Sequence, residues 1–407
     1  MNVPQLRFSG FDGEWNKFIL EDIAIVKDGT HDSPKYYSTG YPLVTSKNLM
    51  KNGDLDLENV SLISEKDFME INKRSKVDVG DILFGMIGTL GNPVRVQSSD
   101  FAIKNVALIK ESKVSNEYIL HYLGSKSIEK QFHLNQAGGT QKFIGLGLIR
   151  DLKIYLPSEK ELQKVASFLT LLDRKINKQQ EKIEKLEQFK KGMMQKIFSQ
   201  ELRFRDEGGG KFGEWYIKTL GELGEFKRSY SFSRNNEGEG EYCHIHYGDI
   251  HTKLNSIVDQ KTELPNISVK GVLEEIETGD VLFADASEDY KDLGKSIVIT
   301  DNQNRKIVAG LHTHRFKPSA LINSVFLMYF TKTESYTTFI RKYGTGVSVL
   351  GISKTNLRII DVPVPSVKEQ EKIADYLLSM EKKIKKEKEK LLALEEQKKG
   401  FMQGMFI

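Results

Sequence analysis

Five of the eight histidines fall between residues 244 and 314, and four of them form two His-x-His pairs, His244/His246 and His312/His314. Alternate residues of a strand share a face, so each pair has the spacing of two imidazole metal ligands. No carboxylate or further cysteine at matching spacing completes such a site, although Cys243 adjoins His244. Three readings stand: a metal site, structural histidines held inside the fold, and contacts to nucleic acid. Other motifs fail on closer reading. Gly294-Lys-Ser296 ends like a phosphate-binding loop, but Asp289 stands where the leading glycine is required. Gly145-Leu-Gly-Leu-Ile-Arg150 lacks the third glycine of a dinucleotide fingerprint and precedes an expected strand. Asn92-Pro-Val lacks the second proline and the aromatic of the turn that an adenine or cytosine methyltransferase would need. Glu-x-Lys triplets occur in helical, solvated charge without the further acidic strand residue of a nuclease. No catalytic residue and no metal ligand set is assigned, and no catalysis is expected of this chain alone.

The elements that must position these residues occur twice. From Pro157, residues 158–198 read SEKELQKVASFLTLLDRK…KKGMMQKIF; from Pro365, residues 366–406 read SVKEQEKIADYLLSMEKK…KKGFMQGMF, at a constant offset of 208. Each copy opens on a capping box, with Ser158 or Ser366 accepting from the N3 amide while Glu161 or Glu369 reaches back. Each then places apolar residues on a 4-3 heptad, Val165, Leu169, Leu172 and Ile176 answering to Ile373, Leu377, Met380 and Ile384. A seam sustained over five heptads predicts coiled-coil pairing, most economically of the two helices with each other. Phe168, Leu171, Phe189 and Met194 fall off the seam and are expected to face partner subunits.

The repeat reaches into the globular parts. Phe11-Asp-Gly-Glu-Trp15 answers to Lys211-Phe-Gly-Glu-Trp215, Gly80-Asp-Ile-Leu-Phe84 to Gly279-Asp-Val-Leu-Phe283, and Leu152–Pro157 to Ile360–Pro365. Strands are predicted at 80–88, 103–109 and 152–156, helical spacing at 116–130 with a Gly124-Ser turn, and a glycine-rich loop at 137–147. The second part repeats the order with strands at 280–286, 307–316 and 358–364, a helix at 323–343 and a loop from Gly344. Short strands mixed with few helices predict an α+β fold. The expected domains are 1–157, the helix 158–199, 200–365, and the helix 366–407. The helices match closely while the globular parts match only at framework points, so one frame carries two different surfaces.

A length of 407 residues allows two or three domains with cores of their own. The single cysteine excludes an intramolecular disulfide, and neither a signal peptide nor a membrane-length apolar run is present, which predicts a soluble, cytoplasmic protein. The net charge of +4 is small for a protein that holds nucleic acid mainly through phosphate charge, which leaves three readings: nucleic acid is not the partner, another subunit supplies much of the charge, or a neutral domain carries a local basic face.

The two-fold repeat, the Gly-Glu-Trp openings, the Gly-Asp-Ile/Val-Leu-Phe strands, and Gly139-Thr-Gln-Lys-Phe-Ile144 followed by a strand, Pro157 and the heptad helix together resemble the specificity subunits of type I restriction-modification systems, over essentially the whole chain. The resemblance implies two target-recognition domains, each followed by a long helix, with the helices paired as an antiparallel coiled coil of pseudo-two-fold symmetry. It implies a non-catalytic subunit that reads a bipartite double-stranded DNA target, one domain per half-site. It further implies assembly with two modification (methyltransferase) subunits and with restriction (motor-nuclease) subunits. S-adenosylmethionine, ATP and Mg would then belong to those partners, with no cofactor on this chain. A helix of about 40 residues is about 60 Å long, enough to set a gap between half-sites. Candidate DNA contacts are Thr45, Ser46, Lys47, Asn48, Thr140, Gln141 and Lys142 in the first domain. In the second they are His246, Tyr247, Asp249, His251, Thr345, Ser348 and Lys354. Asn and Gln match adenine edges and Lys matches guanine. The alternatives are a paired-helix scaffold without a nucleic-acid role and a DNA enzyme with fused specificity.

Overall fold

The computed structural model describes residues 2–88, 90–110, 112–135 and 143–407. They form two compact units, Met1–Glu181 with Lys388–Ile407, and Lys182–Glu387.

In the first unit the buried Gly-Asp-Ile-Leu-Phe segment supplies the strand Ile82–Gly85, paired antiparallel on both sides. It lies inside a four-stranded sheet ordered Ile25–Asp28, Val106–Lys110, Ile82–Gly85, Gly91–Arg95. A second sheet places Tyr41–Val44 between Ser61–Ile63, antiparallel, and Ala102–Ile103, parallel. The strand predicted over 103–109 is therefore two strands. They break at Lys104-Asn105, where Asn105 takes φ +54°, a left-handed value that asparagine tolerates better than most residues. The helical segment predicted over 116–130 forms two helices, Asn116–Leu123 and Lys126–Asn135, divided at the expected Gly124-Ser125 turn. Leu146–Arg150, which begins at the end of the expected glycine-rich loop, forms a short helix anchored by the buried Ile149.

The second unit repeats this plan on five strands, ordered Gly224–Phe226, Thr313–Pro318, Val281–Ala284, Ser296–Ile299, Ile257–Val258. Its second sheet places Glu237–Ile245 between Asn266–Ile267, antiparallel, and Lys306–Ala309, parallel. The strand predicted over 307–316 also breaks, at Gly310–His312, and His312 takes φ +54°. The helix predicted over 323–343 divides into Ser324–Phe330 and Glu334–Tyr343, and Lys354–Arg358 is helical before the strand Asp361–Val364.

The two long helices run Glu159–Phe198 and Val367–Gly404. Within the first unit Phe168 meets Phe401 edge to face at 4.9 Å and Asp173 meets Lys398 at 2.5 Å. Within the second, Lys182 pairs with Glu387 and Lys190 with Glu381, both at 2.8 Å. In each unit one residue number rises as its partner's falls, so the contacting segments are antiparallel. Seam residues Leu169, Ile197, Ile373 and Leu377 are fully buried. Phe168 also packs on Phe8, and Met194 enters the second unit's core, so of the four off-seam residues only Leu171 and Phe189 are exposed.

The capping glutamates do other work than expected. Glu161 and Glu369 are completely buried, and their carboxylates accept from Arg7 (2.6 and 2.8 Å) and Arg203 (3.0 and 2.7 Å). A guanidinium fork satisfies both carboxylate oxygens, which a single backbone N–H cannot. The same arginines donate to the carbonyls of Gly13 and Gly213, tying each Gly-Glu-Trp turn to the start of its helix. The last residues close the first unit. Leu6 N donates to Gly404 O at 2.7 Å, Phe406 packs against Tyr118 and Tyr122, and Tyr122 donates to Ile407 O. The second unit does the same with continuous chain, Leu202 N donating to Lys196 O at 2.9 Å while Phe198 packs on Phe326 and Trp215.

Candidate nucleic-acid interface

In each unit three segments meet at the ends of the strands. The first is a helical turn that follows the parallel-paired strand: Ser46–Asn48, N-capped by Thr45, or Tyr247–Thr252, N-capped by His246. The second is the left-handed residue, Asn105 or His312. The third leaves the central strand at Met86-Ile87 or at Asp285.

In the first unit Ser46 and Asn48 are buried and hold this junction together. Ser46 Oγ donates to Asn105 O (3.0 Å) and accepts from Met86 N (3.1 Å); Asn48 bonds Thr45 and the carbonyls of Asp56 and Asn59. Their side chains are consumed by the fold, which narrows the candidate set to exposed Lys47 and half-buried Thr45. Thr140, Gln141 and Lys142 lie outside the described residues. Beside the turn, His31 Nδ1 faces Asn105 Oδ1 at 2.7 Å and its Nε2 faces Asp28 Oδ2 at 2.8 Å. Both ring nitrogens thus meet acceptors, which favours imidazolium and raises the His31 pKa, the Asn105 bond leading.

In the second unit His246 Nδ1 accepts from Gly248 N at 3.0 Å, and Asp249 is buried against Arg234. Tyr247 stands at the centre of an aromatic cluster, its ring 4.5 Å from His246, 5.5 Å from His251 and 5.3 Å from His312. His312 Nδ1 donates to Asp285 Oδ1 at 2.9 Å, and Asp285 N donates to His312 O. His314 Nε2 donates to Ile352 O at 3.1 Å. Burial lowers the pKa of His246, His251 and His314, so these rings stay neutral hydrogen-bonding groups at pH 7. The His-x-His pairs do not lie on single strands: His246 caps a helix and His312 sits in a turn. Among the described residues no group of three or more His, Cys, Asp or Glu is placed to hold a metal ion.

Thr345 and Ser348 are exposed on the Gly344–Val349 loop, where Thr345 exchanges backbone hydrogen bonds with Gly351. Lys354 instead turns inward; its Nζ donates to Lys227 O at 2.9 Å, and burial lowers its pKa. His312 belongs to a pair for which nucleic-acid contact was one open reading from sequence, whereas His31, Asn105 and Asp285 were not singled out there. The available signal was the polar Lys104-Asn105 step inside an otherwise apolar run. What these surfaces offer is amide, imidazole, phenol and lysine groups: equipment for hydrogen bonding and stacking.

Among the described residues no helix is long and apolar enough to cross a membrane. Comparison with known proteins gives the frame its kinship. The type I restriction enzyme MjaVIII specificity subunit of Methanocaldococcus jannaschii is 23% identical over 84% of this chain and 78% of its own. The S subunit of a type I restriction-modification system from M. genitalium superposes at a TM-score of 0.57 with 15% identity, covering 100% of this chain and 99% of its own. A chain from a structure of the type I restriction-modification system superposes at 0.58 with 16% identity, covering 95% and 96%. These superpositions show the shared fold. The model of the type I restriction modification DNA specificity domain matches residues 12–188 and again 213–396. With two such domains on one repeated frame, the chain belongs to the type I restriction modification DNA specificity family.

Proposed function

We propose that this chain is the non-catalytic reading subunit of its restriction-modification system, each globular part recognising one half of a bipartite DNA target. The observation that carries this is the pairing of a constant frame with variable tips. The buried Gly-Asp strand, the arginine–glutamate clamp and the left-handed turn recur in both units, while the groups displayed at the tips differ: an asparagine and a histidine in one, a tyrosine–histidine cluster in the other. Hydrogen-bonding tips specify sequence, whereas phosphate contacts only position the protein, so a small net charge suits a reader. The long helices set the gap between half-sites and carry the modification and restriction subunits, on which S-adenosylmethionine, ATP and Mg reside. Exposed Leu171 and Phe189 suit such a contact surface. Co-expression with the modification subunit and native mass measurement tests this reading. The expected product holds two modification subunits per chain and methylates a two-part sequence. A chain that ignores the modification subunit would support a bare scaffold, and methylation by the chain alone would support a fused enzyme.

A further inference from the structure

We propose that Asn105 and His312 are the base-reading residues of their two domains, an assignment that rests on the DNA-recognition reading above and extends it to named atoms. The two residues occupy the same place in each frame, immediately before the strand that pairs with the Gly-Asp strand: Gly85 is opposite Val106, and Ala284 opposite Thr313. Both take φ +54°, where glycine is the residue of least strain. Both positions nevertheless carry a hydrogen-bonding side chain. The strained backbone is fixed from beneath in each case, by Asn105 N donating to Thr30 O (3.1 Å) and Ser46 Oγ to Asn105 O, and by Asp285 N donating to His312 O (3.0 Å).

Each side chain is also oriented by one bond that leaves a further polar atom unused. Asn105 Oδ1 faces His31 Nδ1 at 2.7 Å, so its Nδ2 amino group lies on the other side, makes no hydrogen bond among the described residues and presents two donors. An ionised carboxylate only accepts, so the Asp285 contact fixes the proton of His312 on Nδ1. In the neutral ring the remaining Nε2 is an acceptor, and it has no partner among the described residues. The His312 side chain is 49% exposed and stands against the Tyr247 ring. The neighbouring turn residues are largely engaged inside the fold: Ser46 and Asn48 in one unit, and in the other the nearly buried His246 through Nδ1 and the buried Asp249 through Oδ1. Asn105 therefore suits a base edge that presents acceptors, such as guanine N7 and O6 or thymine O4. His312 suits an edge that presents an exocyclic amino donor, adenine N6 or cytosine N4.

The test uses the full-length chain assembled with its modification subunits and a pool of duplexes of random sequence, enriched by binding and sequenced. Asn105→Gly and His312→Gly remove each side chain while leaving a residue that adopts positive φ freely, and thermal unfolding verifies that each variant is folded. His312→Gly should relax one base position in one half of the enriched motif and weaken the original target about ten- to a hundredfold. Asn105→Gly should do the same in the other half only. His312→Asn, which also tolerates the left-handed backbone, should change the base preferred at the position that His312→Gly relaxes. Folded variants that enrich the parental motif unchanged would overturn the assignment while leaving the two-domain reading intact. A uniform loss of affinity with a shallower salt dependence would mark a phosphate contact and overturn it equally. If the parental complex enriched no sequence at all, the DNA-recognition reading would fall and this assignment with it.

Discussion

Replacing Arg203 by methionine should destabilise the second unit more than any comparable change at its surface. The Glu369 carboxylate is completely buried and accepts three N–H bonds, two from Arg203 and one from Trp215 Nε1 at 3.0 Å. Methionine fills much of the arginine stem's volume and supplies no donor, so a buried anion is left with the indole alone. Breaking a buried pair from one side costs about 3–5 kcal/mol. The Arg203 side chain is 26% exposed, which admits some water and places the expected cost near the lower bound, about 3 kcal/mol. For a unit of this size, about 2–4 °C per kcal/mol gives a fall of about 6–12 °C in its unfolding midpoint. The companion variant Arg203→Met with Glu369→Gln removes the buried charge yet keeps an oxygen for Trp215. It should recover at least half of the loss in a calorimetric scan. A midpoint for Arg203→Met within about 2 °C of the parent, or a double variant no better than the single one, would refute the clamp as a source of stability.

Acid should weaken the first unit through His121, which burial holds at a pKa of about 4 against an ordinary 6.5. The folded state disfavours the proton that the unfolded chain takes up. Stability is thus full above pH 6.5 and falls by about 3 kcal/mol as pH drops to 4, and His121→Gln should flatten that slope in denaturant titrations. In a circular permutant, Ile407 would be joined to Pro4 and the chain opened between Ser199 and Gln200. It should fold with a midpoint close to the parent's, because the closing hydrogen bonds Leu6–Gly404 and Leu202–Lys196 are counterparts; failure to fold would deny that equivalence. Lys47→Ala should weaken binding to all duplexes alike and lower the slope of log affinity against log salt by about 1, without altering the enriched motif.

Much of the frame was legible because repetition exposes it. The 208-residue offset marked both long helices, and the Gly-Asp strands and the Gly124-Ser125 break fell where the residue types place them. The strand breaks were less legible. Asn105 and His312 interrupt runs of good strand formers, and only the left-handed backbone distinguishes them from ordinary strand residues. Glu161 and Glu369 carry a capping-box pattern, yet arginines far away in sequence take their carboxylates, a tertiary bond that local spacing cannot encode. The repeat Leu6-Arg-Phe8 and Leu202-Arg-Phe204 was the available clue to that clamp. For the tip residues the difficulty is that Ser, Asn and Asp serve equally as readers or as internal braces. Burial decides between those roles, and it made Ser46, Asn48 and Asp249 braces.

The central claim is that each globular part reads its own half of the target, and exchanging one part tests it most directly. Residues 216–364 would be replaced by the corresponding segment of another family member, with both long helices retained, and the methylated sites mapped across a genome after co-expression with the modification subunits. The expected result is a two-part methylated motif in which one half changes while the other half, and the gap between them, persist. A motif altered in both halves, or one contiguous sequence without a gap, would contradict the account.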